Sequence, residues 1–297
     1  MPKIIQFLHT AQEATPNNEL DNFIPWNSND THRRKFILSN GKYVNNNDEQ
    51  VENELVFWGE WEAQSEIVRI NNGNPNLPNY LNRPFINPAV PNRTHNTDPY
   101  VFGNNFRYII CKQGYFHNVL TNLEPNSIIL FGSSILGQFC LDTVFVVSED
   151  KTNYTINTIE NLFPLNNRGQ YYHASVNPIY DEFEYNINAQ NEDFCRINDQ
   201  REYTFYKSVT FDERQKFNGV YSFVPCKEYN KQNFIFRQPP ITLDFIKGNQ
   251  TQGINSKDCS IEEIIKYWND IVKQIENKNL RKGTYFKTPE LRTNWKE

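Results

Sequence analysis

The sequence predicts an α+β fold, β-rich in its first half, with long loop insertions and an amphipathic helix near its C-terminal end. Three observations carry this reading. Short β-branched and aromatic runs recur, punctuated by Gly, Asn and Pro at roughly the spacing of an all-β barrel or sandwich. With 22 Phe, 16 Tyr and one Met in 297 residues, the core must be built from rings and β-branched side chains, which favour strands. Ser260 and Glu263 form a capping-box pattern ahead of an apolar stripe, Ile261, Ile264, Ile265, Trp268, Ile271, Val272 and Ile275.

Taken in order, "KIIQFLH", "KFIL", "ELVFWGEW", "SEIVRI", "FRYIIC", "SIILFGSS" and "FCLDTVFVV" read as strands, and "ELVFWGEWEAQSEIV" as a hairpin. Residues 71–105 hold repeated Pro and Asn; missing donors and fixed φ exclude a regular element there, and a loop this long is commonly functional. Further on, "TIENLFPL" reads as a short helix, "GVYSFVPC" and "NFIFRQPPITL" as strands, and about 260–278 as the closing helix. The expected organisation is a β-rich region over 1–150 and a mixed α/β extension over 151–297, packed as one unit.

The composition excludes several classes. A chain of this length buries a sizeable core without metals or disulfides. Five cysteines, odd in number and without a C-x-x-C pair, suggest neither a disulfide framework nor a zinc knuckle. No cleavable leader and no stretch near ~18 apolar residues is present, so the expected setting is soluble and cytoplasmic, away from membranes. A formal net charge of −5 gives no long-range pull on phosphate backbones, so any nucleic-acid contact must be local. No phosphate-cradling, dinucleotide or metal-protease motif is found, and no cofactor is expected.

Chemistry must therefore come from scattered polar residues. The histidines, His9, His32, His95, His117 and His173, are dispersed. A Cys/His nucleophile pair is formally available to Cys111 or Cys140, although both sit in apolar runs where a small buried thiol is the usual explanation. In Trp58-Gly59-Glu60-Trp61-Glu62, two rings and two carboxylates sit side by side; Trp58, Glu60 and Glu62 share a strand face unless a bulge at Gly59 re-aims the chain. Such a cluster accepts hydrogen bonds from base amino groups or does acid–base work, or else the rings are core and the glutamates rim. Asp98-Pro99 starts a turn ahead of Tyr100 and Phe102, Lys112 and Gln113 follow a strand, and Phe131 to Ser134 lie at a hairpin mouth. Asp142, inside an apolar strand, needs a partner: Arg107, Lys112 or an arginine of "HRRK". "HRRK" itself is either a phosphate grip, through Arg33 and Arg34, or a solvated strand start.

The run from "FRYIICKQ" through "LTNLEPNSIILFGSSILGQFCLDTVFVVSED", residues 106–150, resembles the core hairpin of PUA-like domains, particularly EVE-type and bacterial nucleotide-modification-associated domains. The order of "CKQ", "NSIILFGSS" and "LDTVFVV" carries the likeness. Asn126 departs from it, standing where the family usually has Gly, as does the insertion over 71–105. The resemblance implies a small, partly open β-barrel that takes a flipped or modified base, or a nucleotide, into an aromatic-lined pocket. Stacking there contributes ~1–3 kcal/mol per base.

Two functions follow as expectations. The first is a module that binds a modified or flipped nucleobase or nucleotide, serving bacterial DNA modification or antiphage defence. Its ligand would meet Trp58, Glu60, Trp61, Tyr100, Lys112, Gln113, Phe131 and Ser133, with Arg33 and Arg34 on phosphate. The second is an enzyme on a nucleotide or modified base, with Glu60, Asp98 or Asp142 as acid or base beside His32 or Lys112. A scaffold role needs only exposed loops.

Overall fold

The computed structural model describes residues 1–9, 13, 34–71, 77–87, 97–164, 168–179, 200–248 and 253–292. Among the described residues thirteen strands follow one another: β1 Lys3–His9, β2 Arg34–Val44, β3 Gln50–Glu60, β4 Ser65–Ile70, β5 Tyr80–Ile86, β6 Arg107–Tyr108, β7 Ile128–Ile135, β8 Gln138–Tyr154, β9 Tyr203–Ser208, β10 Val224–Glu228, β11 Gly253–Asp258, β12 Arg281–Phe286 and β13 Glu290–Leu291. One long helix, α1, spans Ile261–Glu276.

The strands make two mixed sheets. The first has the order β11-β1-β7-β8-β9-β6 and the second β12-β10-β3-β2-β5-β13, with β4 added on β5. β12 also pairs with β2, so β12, β10, β3 and β2 close into a ring; the sheet then runs on through β5, and the expected barrel is not formed. Both sheets mix strands from early and late in the chain, and β8 runs across residue 150.

Strand alternation divides the apolar side chains among three layers. Ile5, Phe7, Ile37, Phe57, Phe131 and Phe145 fill the space between the sheets. Ile4, Leu8, Leu130, Val144 and Val146 point the other way, beneath Ile264, Trp268, Ile271 and Ile275 of α1. That helix starts where the sequence places it, with Ser260 and Glu263 closing a capping box. Phe36, Leu38, Val56 and Trp58 form the outer face of the second sheet, packed against Phe234 and Phe236.

Four elements differ from expectation. β3 and β4 do not pair: β3 lies between β2 and β10, while β4 joins β5. β5 falls inside the Pro/Asn segment, with Pro84 beyond the two residues, Leu81 and Asn82, that pair with β2, so its missing N–H breaks no bond of that ladder. "FRYIIC" is a strand only at Arg107 and Tyr108, because the next three amides bond a side chain instead. "NFIFRQPPITL" forms no strand; Pro239 and Pro240 remove two donors and leave one bridge, Cys140 to Pro240.

Candidate functional site

The site lies where strand ends of both sheets converge. β1 and β7 run parallel with Phe7 opposite Phe131 and His9 opposite Ser133. The alternation that sends both rings inward brings His9 and Ser133 to the rim of the same core. In the second sheet Arg34 faces Glu60 directly across β2 and β3, and the register passes through Gly59 without a shift, so no bulge forms there.

A bulge does form one strand away. Phe131 pairs with Thr143 but Gly132 pairs with Leu141, leaving Asp142 unmatched. Leu141 and Val144 both face the helix layer, so Asp142 and Thr143 both turn inward, the re-aiming that a bulge allows. Gly132 makes this close approach feasible: a Cβ there would stand 2.3 Å from the Cys140 carbonyl oxygen and 2.7 Å from the Phe139 ring.

Around this convergence the charges interlock. Arg34 Nε donates to Ser133 Oγ at 2.9 Å and lies 3.1 Å from Asp142 Oδ2; its Nη1 donates to Glu60 Oε2 at 3.2 Å. The same Glu60 oxygen is 3.2 Å from His9 Nδ1, an ion-pair distance whose alignment falls short of a hydrogen bond. On its other side His9 Nε2 lies 3.0 Å from Cys111 Sγ. Arg34, His9, Glu60 and Asp142 are all buried, as is the Cys111 side chain.

The backbone that carries Cys111 is held by one carboxylate. Asp98 Oδ1 accepts the Ile109 amide at 2.9 Å, and Oδ2 accepts those of Ile110 at 2.8 Å and Cys111 at 2.7 Å. Tyr108 Oη donates to the Cys111 carbonyl at 2.6 Å. Lys112 follows in the left-handed region, φ 58°, and its ammonium donates to the Leu8 carbonyl at 2.6 Å. Gln113 is fully buried and clasps Ile109 and Thr204 through three backbone bonds.

Burial sets the protonation of these groups. It pushes Asp142 up to about 7, outweighing Arg34, with Glu60 adding to the rise and Ser133 opposing it. Asp98 is likewise pushed up to about 7 by burial, against the three amide donors that favour its carboxylate form and with a further rise from Glu60. The Cys111 thiol is raised by burial first, then by Glu60 and Asp98. Lys112 is lowered, chiefly by burial.

A small cavity of about 10 Å³ sits beside the network, lined by Arg34, Phe57, Gly59, Glu60, Pro99, Val101, Phe131, Asp142 and Thr143. It admits one group the size of a water. Asp142 Oδ1 is buried and has no hydrogen-bond partner among the described residues.

Of the residues singled out from sequence, Glu60, Ser133 and Arg34 meet in this network, Phe131 walls the cavity, and Lys112 and Gln113 follow Cys111. The indoles are elsewhere. Trp58 is 3% exposed in the outer layer and Trp61 0% in the inter-sheet core, its Nε1 bonded to the Gln64 carbonyl; neither lines this cavity, so among the described residues the slot expected between them is not seen. Tyr100 packs against Phe102 and Tyr171 as core. Arg34 is no solvent-facing phosphate grip, because its guanidinium is turned inward onto two carboxylates; Arg33 and His32 lie outside the described residues. The Cys/His contact open to Cys111 is made with His9, a partner the sequence does not single out, and the arginine that meets Asp142 comes from "HRRK".

Comparison with family models, curated proteins and solved structures finds no match for this chain. Among the described residues no group of three His, Cys, Asp or Glu is arranged to hold a metal ion, and no helix is long and apolar enough to cross a membrane.

Proposed function

We propose that this chain is an enzyme that acts on a nucleotide or modified base, with its acid–base chemistry run from the buried cluster at the strand ends. One observation carries the reading: a single oxygen, Glu60 Oε2, lies 3.2 Å from both Arg34 Nη1 and His9 Nδ1. Burying ion pairs in this way costs several kcal/mol of desolvation that well-packed apolar side chains would avoid. Costs of this kind gather where chemistry needs them.

The imidazole is the natural proton carrier, Glu60 orients it, and Arg34 with Asp142 and Ser133 fixes Glu60 in turn. The substrate class rests on the likeness of "FRYIICKQ" through "LDTVFVV" to PUA-like domains, and a PUA-like relationship is part of the same proposal. The cavity admits only a small substituent of such a ligand.

The test is to incubate the protein with nucleosides, nucleotides and oligonucleotides carrying modified bases and to follow products by liquid chromatography and mass spectrometry. Turnover should appear in the native protein and fall about 100-fold or more in Glu60→Gln, with binding retained. Binding without any product would instead favour the base-holding module, and neither binding nor product would overturn both.

A further inference from the structure

We infer that Cys111 is the nucleophile of this centre and that its substrates carry an acyl or amidine carbon, of the kind a base offers at its C–O and C–N positions. The inference rests on the enzymatic reading above and deepens it.

Among the described residues, Cys111 is the cysteine with an imidazole in contact, His9 Nε2 at 3.0 Å, and that imidazole reaches a carboxylate with its other nitrogen, Glu60 at 3.2 Å. Thiol, imidazole and carboxylate in this order are the parts of a nucleophile, a base and an orienting group. Cys140 and Cys226 lie within strands, and Cys226 shares the inter-sheet core with Cys111. Cys111 sits in a non-strand segment fixed by Asp98 and followed by the left-handed Lys112.

A second observation points to a ligand. Asp142 Oδ1, on a side chain 3% exposed, lines the cavity beside Glu60 and has no partner among the described residues. The cavity reaches Glu60 but neither Cys111 nor His9, so this oxygen accepts an N–H or O–H of the substrate on the Glu60 side of the network, with the thiol across the His9 ring.

Among the described residues, the charged and titratable groups facing His9 include Glu60 and the Cys111 thiol, with Arg34 beyond Glu60 and Lys112 and Asp98 beyond the thiol. Burial and the two carboxylates keep the resting thiol protonated, so its proton must leave during attack. In that step the Cys111 Sγ–H proton passes to His9 Nε2 as the Sγ–C bond forms. The C–N or C–O bond to the leaving group then breaks, and the leaving group takes the proton from His9. Water adds to the thio-linked carbon, His9 takes one of its protons, the C–S bond breaks, and that proton returns to sulfur.

The experiment uses the full chain, iodoacetamide as probe, and peptide-resolved mass spectrometry to time the alkylation of each cysteine between pH 5 and 9. Cys111 should be labelled ahead of Cys140, Cys226 and Cys259, with a rate that levels off within this range because the thiol proton goes to His9 rather than to hydroxide. His9→Gln should lower the rate at pH 7 about tenfold or more. A Cys111 rate that climbs about tenfold per pH unit through pH 9, as for an unassisted thiol, would overturn the inference, and this holds even if His9→Gln does not fold. So would a rate unchanged in a folded His9→Gln variant, or Cys111 labelled no faster than Cys226. A levelling profile in a protein that converts no nucleotide supports the nucleophile while removing the nucleotide reading. Turnover with an unassisted Cys111 profile does the reverse.

Discussion

The Cys111 amide donates to Asp98 Oδ2 at 2.7 Å, the shortest of three bonds by which that one carboxylate holds Ile109, Ile110 and Cys111. The relationship explains why "FRYIIC" stops being a strand after two residues: its next amides have a better-placed acceptor than a neighbouring strand. It also fixes the thiol against His9.

Asp98→Ala should therefore cost about 3–5 kcal/mol of stability, because three buried N–H groups lose a charged acceptor at once. Urea denaturation measures it. Asp98→Asn keeps one acceptor oxygen and should cost less, about 1–3 kcal/mol. Equal losses for the two substitutions would show that the amides find other partners.

Arg34 is the one cation bonded to both Glu60 and Asp142 among the described residues. Arg34→Met should cost about 3–5 kcal/mol, since it leaves two carboxylates buried without their counter-charge. Adding Asp142→Asn should recover part of that loss, so the double variant is more stable than the sum of the singles implies. Arg34→Lys should rescue little, as an ammonium cannot reproduce the guanidinium fork between β3 and β8. A strictly additive double variant would contradict the network.

Stability should fall as pH rises. Asp142 and Asp98 are each pushed up to about 7 in the folded chain, against about 3.9 in an unfolded one. Between those values the folded state holds more protons, so its advantage is complete below about pH 4 and is lost as pH climbs through about 7. The urea midpoint should drop from pH 4.5 to pH 7.5 on this account, and Asp142→Asn should flatten the slope. A midpoint that rises over the same range would refute it.

Trp58 and Trp61 should behave as packing residues. Trp61→Ala should cost about 3–5 kcal/mol, and acrylamide should quench the native fluorescence of both indoles weakly. Strong quenching of either ring would restore the exposed aromatic slot that the sequence suggests.

Much of the site was legible as a physical anomaly rather than as a motif. Glu60, Ser133 and Asp142 each sit inside or beside apolar runs, where a polar group must find a partner. What sequence could not supply was the pairing. His9 meets Glu60 only because β1 lies parallel to β7 and the two sheets converge at their ends, contacts separated by tens of residues. The inward turn of Asp142 depends on a bulge that no spacing announces. The indoles misled because a Trp beside a Glu suggests a mixed surface, whereas Trp58 packs in the outer layer and Glu60, the last residue of its strand, meets Arg34 and His9. The closing helix was plain, since its cap and its apolar stripe are local.

On the proposed mechanism His9 takes the Cys111 thiol proton and hands it to the leaving group, while Glu60 orients the ring. The ¹⁵N chemical shifts of the His9 ring, followed from pH 5 to 9 by NMR, show which nitrogen holds the proton and what each partner does to it. The expected ring carries its proton on Nδ1, toward Glu60, with Nε2 open to the thiol and its shift moved by Cys111→Ala. A ring protonated on Nε2, and insensitive to both Cys111→Ala and Glu60→Gln, would contradict it.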